Sequence, residues 1–193
     1  MFNNNKRIVI LVILIVLLFV GQLWAQTAVL GFQLGKSTYN EVKKKLPEGV
    51  KVEQDDGVSD TFYGGPSFFT TDAGYGIDGL KRVHFCFDKK QILVEVSVSL
   101  EGRRLDDIKK ILTSKYRPVR SKNPKAPLLF KANCDYVYLF LPWDKDIVVD
   151  YMTAAVYQQK QLAAGQTVER KKAREQREKR EHQKALEREA AKF

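Results

Sequence analysis

The clearest regularity in the chain is an alternation of apolar and polar positions over Gln91–Leu100. Ile92, Val94, Val96, Val98 and Leu100 fall on one side, with Leu93, Glu95, Ser97 and Ser99 on the other. A period of two predicts a strand with one covered face. The preceding stretch, Leu80–Asp88, alternates in the same way: Val83, Phe85 and Phe87 share one face, and Arg82, His84, Cys86 and Asp88 the other. With Lys89-Lys90 between them, the two segments read as a hairpin. A second antiparallel pair is predicted over Leu128–Trp143 and Asp146–Tyr157. The latter is partly apolar on both faces, so it is either a central strand or has a further partner on one side. Shorter strands are expected at Val50–Glu53 and Ser67–Thr71, and Gln26–Leu34 reads as an edge strand or a lead-in.

A period near 3.6 marks two helices. In Phe32–Leu46, Tyr39, Val42 and Leu46 recur at helical spacing, while Lys43, Lys44 and Lys45 face water and Pro47-Glu48-Gly49 ends the segment. Thr38-Tyr39-Asn40-Glu41 fits a capping box, in which Glu41 reaches back to the cap amide. In Arg103–Tyr116 the apolar stripe is Leu105, Ile108, Ile111, Leu112 and Tyr116. Asp106 and Asp107 lie early and Lys109, Lys110 and Lys115 late, which suits the helix dipole. Pro118, Pro124 and Pro127 mark a surface loop after it. The pattern therefore predicts an α+β domain made of two halves, each a helix followed by antiparallel strands.

Outside this domain the composition changes. MFNNNKR followed by the apolar run IVILVILIVLLFVG and Leu23-Trp24-Ala25 has the layout of a signal peptide at 1–25, with Ala25|Gln26 as the preferred cut. An uncleaved anchor is the alternative, since a spanning helix wants about 20 apolar residues. The domain is assigned to 26–157, and 158–193 to a linker and charged tail. Gln158–Gln166 reads as a polar link. From Val168 the tail is rich in helix formers, has neither proline nor glycine, and offers i,i+4 pairs such as Glu175–Lys179 and Arg177–Glu181.

The formal charge of +10 divides into two at Lys6 and Arg7, four in the tail, and four over the centre. The centre is therefore only mildly basic, a charge that can attract acidic surfaces or anionic lipid without specifying either, and export and the interspersed glutamates of the tail argue against a nucleic-acid partner. Export permits a disulfide between Cys86 and Cys134; two separate buried thiols are the other reading. His84 is an outward-facing strand residue and His182 lies in the tail. No zinc spacing, phosphate loop, GxSxG or HExxH is present, so no catalytic residue, metal or cofactor is assigned. The loop acids Asp55, Asp56, Asp60, Asp72 and Asp78 read as solvated, with convergence on a cation such as calcium as the lesser alternative. In the glycine–aromatic block between Asp60 and Leu80, Phe68 and Phe69 lean inward, and Tyr63 and Tyr75 lean to the surface. Tyr63, Phe69, Tyr75 and Trp143 are the candidate protein contacts, Phe69 being kept among them in spite of its inward lean.

Gly35-Lys36-Ser37-Thr38-Tyr39-Asn40-Glu41-Val42, ending at Leu46, resembles the helix-opening motif of domains related to beta-lactamase inhibitory protein and the small outer-membrane barrel-assembly lipoprotein. Gly35, Ser37, Val42 and Leu46 match it, whereas Arg103–Tyr116 lacks the Gly-x-Ser/Thr opening and no cysteine marks a lipidation site. The resemblance implies a non-enzymatic, protein-binding scaffold of the cell envelope, over roughly Phe32–Tyr157. The expectation is an exported module, periplasmic or secreted, or else held at the inner membrane by its anchor, that binds another envelope protein. A periplasmic hydrolase using carboxylates is the alternative. A structural envelope protein touching membrane or cell wall through its tail is the third reading.

Overall fold

The computed structural model describes residues 27–55, 63–71, 74–121, 127–141 and 146–190. The segment read as a leader, and Trp143, lie outside these residues. The chain divides into two units, residues 1–153 and 154–193.

The first unit is a mixed α+β domain whose segments run helix, strands, helix, strands. A small hairpin, β1 (Ala28–Val29) with β2 (Phe32–Gln33), leads into α1 (Tyr39–Lys44). Four strands follow: β3 (Val52–Gln54), β4 (Gly64–Thr71), β5 (Leu80–Asp88) and β6 (Leu93–Leu100). After a single 3₁₀ turn at Gly102–Arg104 comes α2 (Leu105–Lys115). Four more strands complete the unit: β7 (Arg117–Val119), β8 (Leu128–Ala132), β9 (Asp135–Phe140) and β10 (Ile147–Met152). The eight form one antiparallel sheet in the order β3-β4-β5-β6-β10-β9-β8-β7. Each half is a four-stranded meander, and the halves meet along their last strands, where Leu100 pairs with Ile147, Val98 with Val149 and Val96 with Tyr151.

The core lies on one face of this sheet. Phe68, Val83, Phe85, Val96, Val98, Phe130, Val137, Leu139, Ile147 and Val149 are buried there with Val42 of α1 and Leu112 of α2. Phe68, Phe85 and Phe87 form a ring cluster at 5.2–5.8 Å, and Tyr39 meets Phe68 and Phe87 edge-on at 5.7 and 5.2 Å. Tyr39 and Val42 of α1 and Leu105, Ile108 and Leu112 of α2 pack toward the core as the periodicity predicts, whereas Ile111, expected in the same stripe, is 51% exposed. The cap of α1 is reciprocal: Thr38 Oγ1 accepts the Glu41 N–H at 3.3 Å, and Glu41 Oε2 accepts the Thr38 N–H at 2.9 Å. The start of the described chain is tied to the second half. The Thr27 N–H donates to Asp135 Oδ2 at 3.1 Å and its hydroxyl to the Ala132 carbonyl at 3.0 Å.

Four expectations need correction. The strict alternation of β6 breaks at its start, because Cys86 pairs with Glu95 but Phe87 pairs with Leu93, leaving Val94 as the extra residue of a bulge. Leu93 is therefore in the core and Val94 half-buried. The cause is the helix-opening segment: the Leu93 N–H donates to the Ser37 carbonyl at 2.8 Å, and its carbonyl accepts from the Gly35 N–H at 2.7 Å. Gly35 supplies the positive φ of 73° that this turn requires.

Next, Leu128–Trp143 is not one strand but a hairpin turning at Asn133-Cys134, where Asn133 adopts φ 56°, a conformation its short amide tolerates. The segment at 117–119, read as loop, becomes an edge strand. Last, Asp146–Tyr157 stops being a strand at Met152. From Ala154 the chain is α3, a continuous helix to Ala190 that also takes in the supposed polar link. Ala154-Ala155 and the proline-free text beyond favour helix over extension. α3 carries exposed ion pairs at Lys172–Glu169 and Arg174–Glu178, the latter i,i+4 at 2.8 Å. Among the described residues no helix is long and apolar enough to cross a membrane.

Removal of the Phe85 ring by Phe85→Ala is expected to cost about 3–5 kcal/mol, and Thr38→Ala about 1 kcal/mol, both read by urea unfolding. Gly65→Ala is expected to abolish stable folding, since an added Cβ would stand 1.9 Å from the Asp88 carbonyl oxygen, a backbone atom. The hydrogen bonds from Thr38, its backbone N–H foremost, hold the Glu41 carboxyl below its ordinary value. Because the folded-state pKa is the lower one, this contribution is complete above the unfolded pKa and is lost as pH falls through the lowered one. An NMR titration is expected to place the Glu41 midpoint below that of an unstructured glutamate.

Candidate interaction face

The sheet face away from α1 and α2 is chemically different from the core face. Residues opposite one another in an antiparallel ladder share a face, and register across the sheet defines three rows. The first is Ser67, Cys86, Glu95, Met152, Tyr136, Lys131 and Arg117. The second is Phe69, His84, Ser97, Asp150, Tyr138, Leu129 and Val119. The third is Thr71, Arg82, Ser99, Val148 and Phe140. Along each row the chemistry passes from polar and ionisable in the first half to aromatic and apolar in the second, and the first ends in two cations at the β7 edge.

At the polar end, β4 and β5 hold His84 on several sides. Its Nε2 lies 3.2 Å from Asp55 Oδ2, which also accepts the Ser67 hydroxyl at 3.0 Å. The imidazole stacks on Phe69 at 4.0 Å, and the Arg82 guanidinium lies 4.2 Å over that same Phe69 ring. Cys86 Sγ is 3.6 Å from both ring nitrogens, so it sits beside the ring rather than in line with one of them. A nucleophile–base pair needs one directed hydrogen bond and access for substrate. Cys86, 1% exposed, lacks that access.

Glu95 and Asp150 are also buried. The Tyr63 hydroxyl donates to Glu95 Oε2 at 2.6 Å. Burial, and then the neighbouring Glu95 charge, push the Tyr63 phenol far up, so it remains a donor across the physiological range. Tyr138 and Phe140, on β9, are half-buried neighbours with ring centroids 5.5 Å apart.

The helix-covered face has a crevice of about 180 Å³ lined chiefly by apolar side chains, among them Leu30, Ile77, Ile108, Ile111 and Tyr151. Burial and then the neighbouring Tyr116 raise the Tyr151 phenol, and burial raises that of Tyr75. Among the described residues, no group of three or more His, Cys, Asp or Glu side chains is placed to hold a metal ion. Of the loop acids, Asp55 faces His84, and Asp78 pairs with Arg103 and Arg104. Asp56, Asp60 and Asp72 lie outside the described residues.

The four aromatic candidates are not brought together. Phe69 is half-buried in the His84 stack. Tyr63 is half-buried over Glu95. Tyr75, expected at the surface, packs against the core with its hydroxyl 3.0 Å from Thr70 Oγ1, and Trp143 is outside the described residues. Cys86 and Cys134 are separate thiols. The pairing path from Cys86 to Glu95, Met152 and Tyr136 crosses three strand spacings, about 14 Å. A disulfide requires Cα atoms within about 7 Å.

Two features escaped the sequence reading although their signals were there. Asp135–Phe140 alternates, which places Tyr136, Tyr138 and Phe140 on one face once the hairpin is recognised. The central charge is also not spread evenly. Lys109, Lys110, Lys115, Arg117, Arg120, Lys122, Lys125 and Lys131, eight cations, fall between Asp107 and Asp135 with no acid among them. Averaging over the whole centre conceals this run.

No family model, curated protein or solved structure matches the chain.

Tyr63→Phe removes a donor from a buried carboxylate and is expected to cost about 1.5–3 kcal/mol, measured by thermal unfolding. Thiol titration with an aromatic disulfide is expected to find Cys134 reacting faster than Cys86 in the native protein, with both reacting alike in denaturant.

Proposed function

We propose that the chain is a non-enzymatic, protein-binding module of the cell envelope that acts through the aromatic half of the second sheet face. The observation that carries this reading is the side-by-side placement of Tyr136, Tyr138 and Phe140 with Leu129 and Val148 on three adjacent strands. Rigid, half-buried rings on a sheet contribute contact area at small cost in side-chain entropy, which is what aromatic anchors supply at protein interfaces. The resemblance of Gly35–Leu46 to inhibitory-protein and barrel-assembly domains is carried into this proposal. It is supported by the repetition of helix and antiparallel strands in both halves, and it would make the partner another exported protein. Export itself rests on the character of residues 1–25.

A carboxylate hydrolase would draw on Glu95 and Asp150. Both are nearly enclosed, and Glu95 already accepts the Tyr63 hydroxyl, so the aromatic face is the stronger basis for function.

The test is site-specific photo-crosslinking in cells, with the reactive side chain at Tyr138 or Phe140 and, as control, at Lys44 on α1, which covers the opposite face. A single adduct of defined mass from the two sheet positions and none from Lys44 is expected, and Tyr136→Ala should diminish it. Adducts of equal yield at all three positions, or none at 138 and 140, would sink the proposal.

A further inference from the structure

The β7–β8 edge carries a groove lined by Arg117, Pro118, Val119, Arg120 and Lys131. Arg117 and Lys131 are direct cross-strand partners, a like-charge pairing that works against the sheet. No acidic side chain among the described residues pairs with Arg117, Arg120 or Lys131. Cations and proline on an edge often serve only to prevent strand addition, and Pro118, which brings no N–H, suits that purpose. Edge protection does not account for the rest. It calls for neither a second cation opposite the first nor exposed apolar side chains beside them. Yet Val119, on the face of Arg117 and Lys131, and Leu128, on the opposite face of β8, are 40% and 43% exposed at this edge.

Cations without an acidic partner among the described residues, interspersed with exposed apolar side chains, match the boundary between the headgroups and acyl chains of an anionic bilayer. There the charges meet phosphates and the aliphatic groups enter the interface. We infer that this edge is a docking surface for an anionic lipid bilayer. An acidic polypeptide would satisfy the cations but leave Val119 and Leu128 without purpose. The tail is a poorer candidate, because α3 intersperses glutamates with its basic residues and pairs some of them, as at Arg174–Glu178.

The experiment is vesicle co-sedimentation of the full protein as purified from cells, using phosphatidylcholine alone or mixed with phosphatidylserine. Wild type is compared with Arg117→Gln/Arg120→Gln/Lys131→Gln, with Val119→Ser/Leu128→Ser, and with a tail control, Arg174→Gln/Arg177→Gln/Arg180→Gln. Wild type should prefer the phosphatidylserine vesicles, with binding that weakens as salt rises. The edge triple variant should lose at least about tenfold of that binding, Val119→Ser/Leu128→Ser should lose part of it, and the tail control should bind as wild type. Thermal unfolding is read in parallel, and the triple variant should melt no lower, since like charges have been removed. Should it fail to fold, Arg120→Gln alone and the wild-type salt series decide. Absence of a phosphatidylserine preference, equal binding by the edge variant, or loss confined to the tail variant overturns the inference. So does tighter binding to polyglutamate than to the vesicles.

Discussion

The antiparallel seam between β6 and β10 is the pairing on which the rest of the domain depends. It joins two meanders that would each be a marginal four-stranded sheet into one of eight strands, and it places Val98, Leu100, Ile147 and Val149 side by side beneath α2. Burial of such side chains against one another is the main favourable contribution to folding, on the order of 25 cal/mol per Å² of apolar surface. Because the last strand of each half lies at the centre, the short strands β3 and β7 are left outermost. The position of the basic edge is thus a consequence of the seam.

The opening of α1 has a structural task that its sequence only partly announces. Its glycine, cap and apolar residues begin the helix, but the same segment also pairs with Leu93 and bridges Thr38 to Ile92. That interaction engages both backbone groups of Leu93 while the Ile92 carbonyl accepts from Asp88 of β5, and the bulge at Val94 lies beside it. The turn therefore locks helix to sheet and sets which residues of β6 face the core.

Much of the domain was legible from local patterns. The two helices, the β5–β6 hairpin and the two-half organisation follow from periodicity and capping, since each depends on residues close in sequence. What remained hidden depends on distant pairing. The alternation of Gln91–Leu100 implied an unbroken strand, because Ser37 and Gly35 do not declare that they will bind Leu93. Thr153–Tyr157 alternates well enough for a strand, and only the helix-forming text beyond it decides otherwise. The face with His84, Glu95, Asp150 and Tyr138 is assembled by register from four strands, so no window of the sequence contains it. The basic run from Lys109 to Lys131 is different: it was visible, and was lost only by averaging the charge over too long a segment.

The seam also bears on what half of this chain would do by itself. A fragment ending at Leu100 would retain β3 to β6 and the α1 lock, but β6 would become an outer edge with a row of unanswered amides and carbonyls. Its natural complement is a strand entering antiparallel at that edge, as β10 does, and an identical fragment presents such a strand. The isolated first half would therefore be a template for its own duplication, two copies closing about a two-fold axis where the intact chain has its second half. Covalent fusion of the halves suppresses that self-association, and it permits the two meanders to carry different outer faces.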